Sequence, residues 1–269
     1  MKTLIVQSSI IDETEYENQP SFNEYTDVIT FATKTVQAWA ELNHYSYHLH
    51  TTPIITAPRF LELQSYGRCS AYYELQKLFV FNDSYDRICW IDPDVIVNGN
   101  PLLDDAEFSV RTNDTRMLPI TRPNSGVFYG HAAVFNNLYN YAIDQLNVST
   151  RNPAYQAWLE IPEGERQKRN SSQALMAYWM DQANYKVKPM TKDLHTFFTY
   201  DIISNNSFIH LVGANKYFKL CLLRWLLQSN DTVRSIIYDI INVQEVGCLQ
   251  HTDDWYRQLD MINKAITIS

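Results

Sequence analysis

Two aspartates one residue apart, Asp92 and Asp94, stand between apolar runs: Ile88-Cys89-Trp90-Ile91 before them and Val95-Ile96-Val97 after. A short unbroken apolar run reads as a strand buried on both faces. In an open α/β sheet, ligands bind in the crevice beyond the carboxyl ends of the strands. Acids that end such a strand therefore stand at that crevice. Burying two carboxylates without partners is expensive. A divalent cation would offset the cost, and hard oxygen ligands suit Mg²⁺ or Mn²⁺. Such an ion can bridge two phosphates and neutralise charge on a departing diphosphate. The competing reading is that the two acids cap an exposed turn with Asn98 and Gly99. Spacing alone leaves both open, because short Asp-x-Asp motifs arise by chance. Pro93 fixes its own φ and restrains the residue before it, which would rigidify the segment.

The surroundings support an α/β reading. Residues 3–9 read as a buried strand, and 45–50 as a second. Between them, 27–43 carries Val28, Phe31, Val36, Trp39, Ala40 and Leu42 at roughly helical spacing. Strand, helix and strand in so short a stretch predict a βαβ unit with parallel strands. A helix is expected over 70–82, with Tyr73, Leu75, Leu78 and Phe79 on it, leading into a strand at 87–91. Further strands are expected at 108–111, 126–129 and 208–212, and helices at 134–146 and 171–184, the latter with Ser171 or Ser172 as N-cap. The polar stretch 153–170 reads as a surface excursion. Three amphipathic segments, 216–228, 232–243 and 255–265, predict a helical C-terminal cap. With neither repeat nor linker, the expectation is one α/β domain over 1–269. It comprises a core over 1–215 with a central, mostly parallel sheet, and a helical extension over 216–269.

Composition narrows the partners. The net charge of −8 argues against a general nucleic-acid binder, which carries a basic face. An anionic ligand would need a bound cation or a local Lys/Arg cluster. No apolar run approaches the ~20 residues of a membrane span, and residues 1–11 lack the long apolar core of a signal peptide. The four cysteines, Cys69, Cys89, Cys221 and Cys248, are widely spaced with no Cys-x-x-Cys pair, which fits a reduced, cytoplasmic setting. The Asn-x-Ser/Thr matches, such as those at Asn82 and Asn170, are then read as chance.

Residues 85–97, Tyr-Asp-Arg-Ile-Cys-Trp-Ile-Asp-Pro-Asp-Val-Ile-Val, resemble the DxD segment of GT-A-fold glycosyltransferases, Rossmann-like nucleotide-sugar enzymes. The likeness is greatest to the retaining galactosyl- and glucosyltransferases of glycosyltransferase family 8, the glycogenin-like group. Three more stretches agree in order: Asn124-Ser125-Gly126-Val127, Ser172-Gln173, and His210-Leu211-Val212-Gly213-Ala214-Asn215-Lys216, similar to the family's His-x-x-Gly-x-x-Lys motif. The early helix and strand over 31–50 also resemble the family's. Together the likeness covers about residues 1–220. The resemblance implies that Asp92 and Asp94 hold Mn²⁺ or Mg²⁺, with His210 as third ligand. Gly213 would let the backbone approach the diphosphate, and Lys216 would donate to it. Ser125 would lie beside the donor sugar. Asn124 and Gln173 would line the sugar pocket on the face where transfer occurs.

The activity implied is transfer of a hexose from a nucleotide diphosphate sugar, UDP-glucose or UDP-galactose, to a hydroxyl of a glycan, lipid or protein acceptor, with retention at the anomeric carbon. Gln173 offers no carboxylate nucleophile. The better mechanism is therefore a same-face one, in which the leaving phosphate takes the acceptor's proton. Three features depart from the family: Ser172 replaces an acid, Tyr217-Phe218 replace Pro-Trp after the lysine, and Pro93 interrupts the DxD.

Several residues have plainer readings. A histidine in an apolar strand is by itself more often a hydrogen-bonded core residue; Gly213 and Lys216 at +3 and +6 favour His210 as a ligand. Lys216, at an apparent helix start where amides can face phosphate, could equally be solvated. Lys77 is read as solvating a helix surface, with an approach to the nucleotide as the alternative. Arg68 stands farther from the DxD than a diphosphate ligand is expected to. Trp158, Tyr178 and Trp179 are read as core rather than a sugar-stacking platform. Lys219, Arg224, Arg234 and Arg257 are read as packing rather than touching a membrane. Two other functions are weighed. A haloacid-dehalogenase-type phosphohydrolase would carry its acids near the N-terminus with Gly-Thr close behind. A non-catalytic nucleotide-sugar or carbohydrate-binding protein would explain Ser172.

Overall fold

In the computed structural model, the described residues are 1–9, 22–54, 76–113, 122–147, 171–183, 185–198, 205–211, 219–221 and 223–224. The βαβ expectation holds. Strands β1 (Thr3–Ser8) and β2 (Ser46–His50) pair in parallel, with α1 (Phe22–Leu42) between them in sequence. Val28, Ala32 and Val36, four residues apart, are buried together with Ile29, Trp39 and Ala40. Leu42, counted on the apolar face, is instead exposed, since the helix ends there and the chain turns into β2.

Strand β3 (Arg87–Ile91) keeps its expected bounds and lies parallel to β1. Next to it, antiparallel, runs β6 (Arg122–His131), then β5 (Phe108–Asn113), with β7 (Val187–Pro189) at the edge. The central sheet has the order β2-β1-β3-β6-β5-β7. Five of its strands run one way and β6 the other. This is the mostly parallel α/β architecture expected.

Alternation along the strands sorts residues onto two faces. Ile5, Cys89 and Ile91 pack with Val36 and Trp39 of α1. Leu4, Val6, Ile88 and Trp90 face the other side, against α2 (Ala132–Asn147) and α3 (Ser171–Gln182). The two-residue period therefore carries Asp92 to the α2–α3 side with Trp90.

Beyond Asp94 the chain leaves this sheet. Strand β4 (Val95–Asn98) belongs to a second, three-stranded sheet of order β4-β9-β8, with β8 at His195–Phe197 and β9 at Ser207–His210. Helix α1 holds this sheet in place: Thr35 Oγ1 accepts the Val97 amide at 3.0 Å, and Trp39 Nε1 donates to Pro101 O at 3.0 Å. Gly99 follows at φ 66°, where a Cβ would stand 2.0 Å from Asn205 O.

Two expectations change. The helix predicted over 70–82 does not reach 82. Its described part is Gln76 and a 3₁₀ turn at Lys77–Phe79, and Val80 is already extended at ψ 116°. Residues 70–75 lie outside the described residues. The strand predicted at 126–129 runs from 122 to 131, because Pro123, Asn124 and Ser125, which read as turn residues, belong to it. The surface excursion at 153–170 and nearly all of the helical extension fall outside the described residues. Within the extension 219–221 and 223–224 are helical, with Lys219 buried and the Arg224 guanidinium 4.5 Å from the Phe31 ring centre. No helix among the described residues is long and apolar enough to cross a membrane.

Candidate metal and donor site

The segment Asp92-Pro93-Asp94-Val95 is a turn closed by the Val95 amide on Asp92 O at 3.1 Å. Proline suits its second position, since its ring presets φ and the turn needs no amide there. The turn is also the joint between the two sheets. In β4–β9 pairing Val95 stands opposite His210, and the Leu211 amide donates to Asp94 O at 3.1 Å. Asp94 immediately precedes Val95, so the ladder brings His210 to the acids across more than a hundred residues of sequence. Oxygens of Asp92 and Asp94 and a nitrogen of His210 all lie within 4.8 Å of one another, and all three residues are buried. His210 Nε2 is 3.4 Å from Asp94 Oδ1. The exposed-turn reading of the acids fails on this burial: Asp92 is 7% exposed and Asp94 5%.

Glycine makes the room for His210. A Cβ on Gly126 would stand 2.2 Å from Cε1 of that ring and 2.4 Å from its Nδ1. Asn124 Oδ1 accepts the Gly126 amide at 3.0 Å, and Gly126 O accepts the Asp92 amide at 2.7 Å. This close approach depends on a bulge. Pairing between β5 and β6 jumps from Val110↔Phe128 to Arg111↔Asn124, leaving Ser125, Gly126 and Val127 without counterparts on β5. A bulge of this kind re-aims a strand locally, here toward the turn at Pro93.

Asp92 already has a cationic partner. Lys77 is 2% exposed; its Nζ donates to Asp92 Oδ2 at 2.9 Å and stands 2.8 Å from Oδ1. The same Nζ reaches Ser125 Oγ at 3.2 Å and Ser125 O at 3.4 Å. Trp90 Nε1 donates to Asp92 Oδ1 at 2.7 Å, and Gln7 Nε2 to Asp92 O at 3.2 Å. Reading Lys77 as a solvated surface lysine was therefore wrong. Its turn lies among buried Gln76, Leu78 and Phe79, and the side chain is itself buried against Asp92 and Ser125. The premise that the acids would be unpartnered is corrected with it: Asp92 is ion-paired in the protein itself.

Ser172, where the resembling family has an acid, is fully buried, and its hydroxyl meets Ser125 Oγ at 3.2 Å. The site thus runs from Ser172 through Ser125 and Lys77 to Asp92. Gln173, half-buried, follows Ser172 on α3, while Asn124 is buried at the bulge. Gly213 and Lys216 lie outside the described residues, as do Arg68 and Trp158. Trp179 is core, as expected: it is 1% exposed, with Nε1 on Asn137 Oδ1 at 2.8 Å.

Sequence reasoning also missed His195. It is fully buried, parallel to His210 at 11° with ring centres 5.5 Å apart, and neither of its ring nitrogens has a hydrogen-bond partner among the described residues. Burial, followed by the neighbouring His210 and Arg111, holds its pKa well below the usual 6.5. Arg111 ties β5 to β8: Nη1 donates to His195 O at 2.5 Å, and the guanidinium lies 3.5 Å from the Phe197 ring centre. No sequence motif marks His195. Its strand is three residues long and shows no period.

The donor set suits a hard divalent cation. Two carboxylates and an imidazole converge in a buried place, and His210 Nδ1 has no hydrogen-bond partner among the described residues. No protein-family model and no curated protein sequence matches the chain. Solved structures that resemble it include a glycosyltransferase involved in glycosylation of the major capsid of PBCV-1, at 13% identity and a TM-score of 0.46, covering 81% of this chain and 97% of that one. Another is the apo-form glycosyltransferase GlyE of Streptococcus pneumoniae TIGR4, at 14% identity and TM-score 0.41, covering 99% and 63%. A third is a Drosophila beta-1,4-galactosyltransferase 7 variant in complex with manganese, UDP-Gal and xylobiose, at 12% identity and TM-score 0.28, covering 51% and 52%.

Proposed function

We propose that the chain is a metal-dependent glycosyltransferase of GT-A architecture, one domain over 1–269. It would move a hexose from a UDP-sugar to an acceptor hydroxyl, with retention, in the manner of the family 8 enzymes its motifs resemble. The observation that carries the reading is the convergence of Asp92, Asp94 and His210 at a sheet-to-sheet joint, all buried and within 4.8 Å. Asp92, Asp94 and His210 would hold Mn²⁺ or Mg²⁺. When bound, that ion supplies charge stabilisation for the leaving diphosphate.

The rest is work for the chain's own residues. Pro93 and the turn hydrogen bond fix the two carboxylates relative to each other. Trp90 and Gln7 hold Asp92 from the core side, which limits the freedom a ligand would otherwise lose on binding. Asn124 keeps the bulge closed by accepting the Gly126 amide. Lys77 places a positive charge in a water-poor site, where charge acts more strongly than in solvent. Gln173 and Ser125 would border the sugar, with Gly213 and Lys216 facing the diphosphate. Positioning and fixed charge are the sources of rate in such a site.

The test is UDP–Mn²⁺ binding and transfer from a panel of UDP-sugars, comparing the native chain with Asp94→Ala. Losing a direct ligand should weaken UDP–Mn²⁺ binding by at least the ~10–100-fold that an outer-shell partner is worth. Wild-type affinity in Asp94→Ala would remove the metal assignment. Phosphate-ester turnover without sugar transfer would point to the phosphohydrolase. Tight binding with neither transfer nor hydrolysis would point to a binding protein.

A further inference from the structure

Lys77 is the part of the site that a three-ligand metal centre does not call for. Its ammonium lies against both oxygens of Asp92, at 2.9 and 2.8 Å, in a place where the lysine is 2% exposed. A buried ion pair of this kind is screened little by salt, and the cost of desolvating both charges is offset by their mutual contact together with the hydrogen bonds from Trp90 to Asp92 and from Lys77 to Ser125. Counting the two acids and the lysine, the site carries −1 among the described residues. A divalent ion on its own would bring it to +1, with an ammonium beside the ion and the Asp92 contact competed for. A nucleotide diphosphate sugar adds two negative charges and returns the site to −1.

Resting on the metal-dependent reading above, we propose that Lys77 is a built-in counter-cation of the site. It neutralises Asp92 while no ion is bound and penalises an ion that arrives alone. Metal and nucleotide then bind as a coupled pair. The geometry allows the exchange without stranding the lysine: Ser125 Oγ and O, at 3.2 and 3.4 Å, still receive it if the Asp92 carboxylate turns to an ion. Ser172 supports that hydroxyl from behind at 3.2 Å. Coupling of this kind is reciprocal: whatever factor the nucleotide adds to metal affinity, the metal adds to nucleotide affinity.

The experiment is calorimetric titration of Mn²⁺ into the full chain with and without UDP, for the native protein, Lys77→Met, Lys77→Gln and Asp94→Ala. Lys77→Gln keeps a donor for Asp92 and Ser125 but not the charge, and it serves if Lys77→Met does not fold. In the native chain UDP should tighten Mn²⁺ binding within the ~5–150-fold range typical of coupled sites. The neutral variants should bind Mn²⁺ alone about 10-fold more tightly, with the gain from UDP reduced by a similar factor. Unchanged or weaker binding of Mn²⁺ alone, or an undiminished gain from UDP, overturns the counter-cation. Equal Mn²⁺ binding by the native chain and Asp94→Ala overturns the metal reading itself, which keeps the two failures apart.

Discussion

The two sheets of this protein are buried to similar depth but differ in what their buried rings are made of. On its α2–α3 face the central sheet packs rings against rings: Phe108 meets Trp179 edge-on at 5.1 Å, and Phe128 stacks on Phe135 at 5.4 Å. The small sheet buries apolar Val95, Ile96, Phe208 and Ile209, and beside them His195, Thr196, Ser207 and His210. Its imidazole pair leaves His195 Nδ1, His195 Nε2 and His210 Nδ1 without hydrogen bonds among the described residues. Apolar rings gain from burial without needing partners, whereas unpartnered polar nitrogens cost free energy wherever they are buried. Both sheets therefore gain from apolar burial, and the small one offsets part of that gain by keeping imidazole nitrogens out of water. The joint between them, residues 92–95, is where the acids lie.

The largest effect should come from the stabilising side. Phe108 is fully buried and touches the Phe128, Phe135 and Trp179 rings. Phe108→Ala should cost about 3–5 kcal/mol, read as a lower midpoint in chemical denaturation. The affinity of the folded fraction for UDP–Mn²⁺ should change little. A variant with native stability and impaired binding would reverse the division of labour between the sheets.

Gly126→Ala tests the joint. The added methyl must push the His210 ring by about an ångström, given contacts of 2.2 and 2.4 Å. A misplacement of that size costs about 10²-fold in rate, while overpacking costs about 1–3 kcal/mol of stability. Transfer should thus fall far more than the denaturation midpoint, the reverse of Phe108→Ala. Native transfer rates in Gly126→Ala would mean that the His210 position is not demanding.

How much of this was legible in the sequence follows from how local each signal is. Strand β3 and the acids behind it were readable because an unbroken apolar run followed by Asp-Pro-Asp needs no distant partner to be recognised. The βαβ start was readable from period. The change of sheet at Pro93 was not, because the run Val95–Val97 is as apolar as β3 and nothing local says which sheet it joins. Strands β7 and β8 are three residues each, too short to show alternation. Lys77 was misread because a lone charge is normally solvated. The contrary signal was its place among Gln76, Leu78 and Phe79, all of which are buried. The bulge in β6 hid behind Pro123, Asn124 and Ser125, residues that ordinarily mark turns. Of the candidate site, Asp92, Asp94 and His210 were named from motifs, and the ladder pairing Val95 with His210 supplies the physical reason they meet.

The smallest effect sharpens the comparison most. If the small sheet spends stability on polar burial, removing one of its orphaned rings should not destabilise it. His195→Leu replaces an imidazole whose two nitrogens have no partner among the described residues by an apolar side chain of similar volume and different shape. The desolvation recovered and the packing lost are each about 1–3 kcal/mol. The net change in metal-free protein at neutral pH should therefore stay within about 1 kcal/mol, against the larger loss in Phe108→Ala. The sign with pH is fixed by the direction of the shift. Burial keeps the His195 pKa well below 6.5 in the folded chain, so below about pH 6.5 the unfolded chain binds a proton that the folded chain refuses. That contribution is fully present above the unfolded value and is lost as pH falls. His195→Leu abolishes it, and the variant should gain on the native protein in denaturation midpoints measured from pH 7 down to pH 5. A destabilisation of His195→Leu as large as that of Phe108→Ala, with no such gain in acid, would show that the small sheet is packed for stability after all.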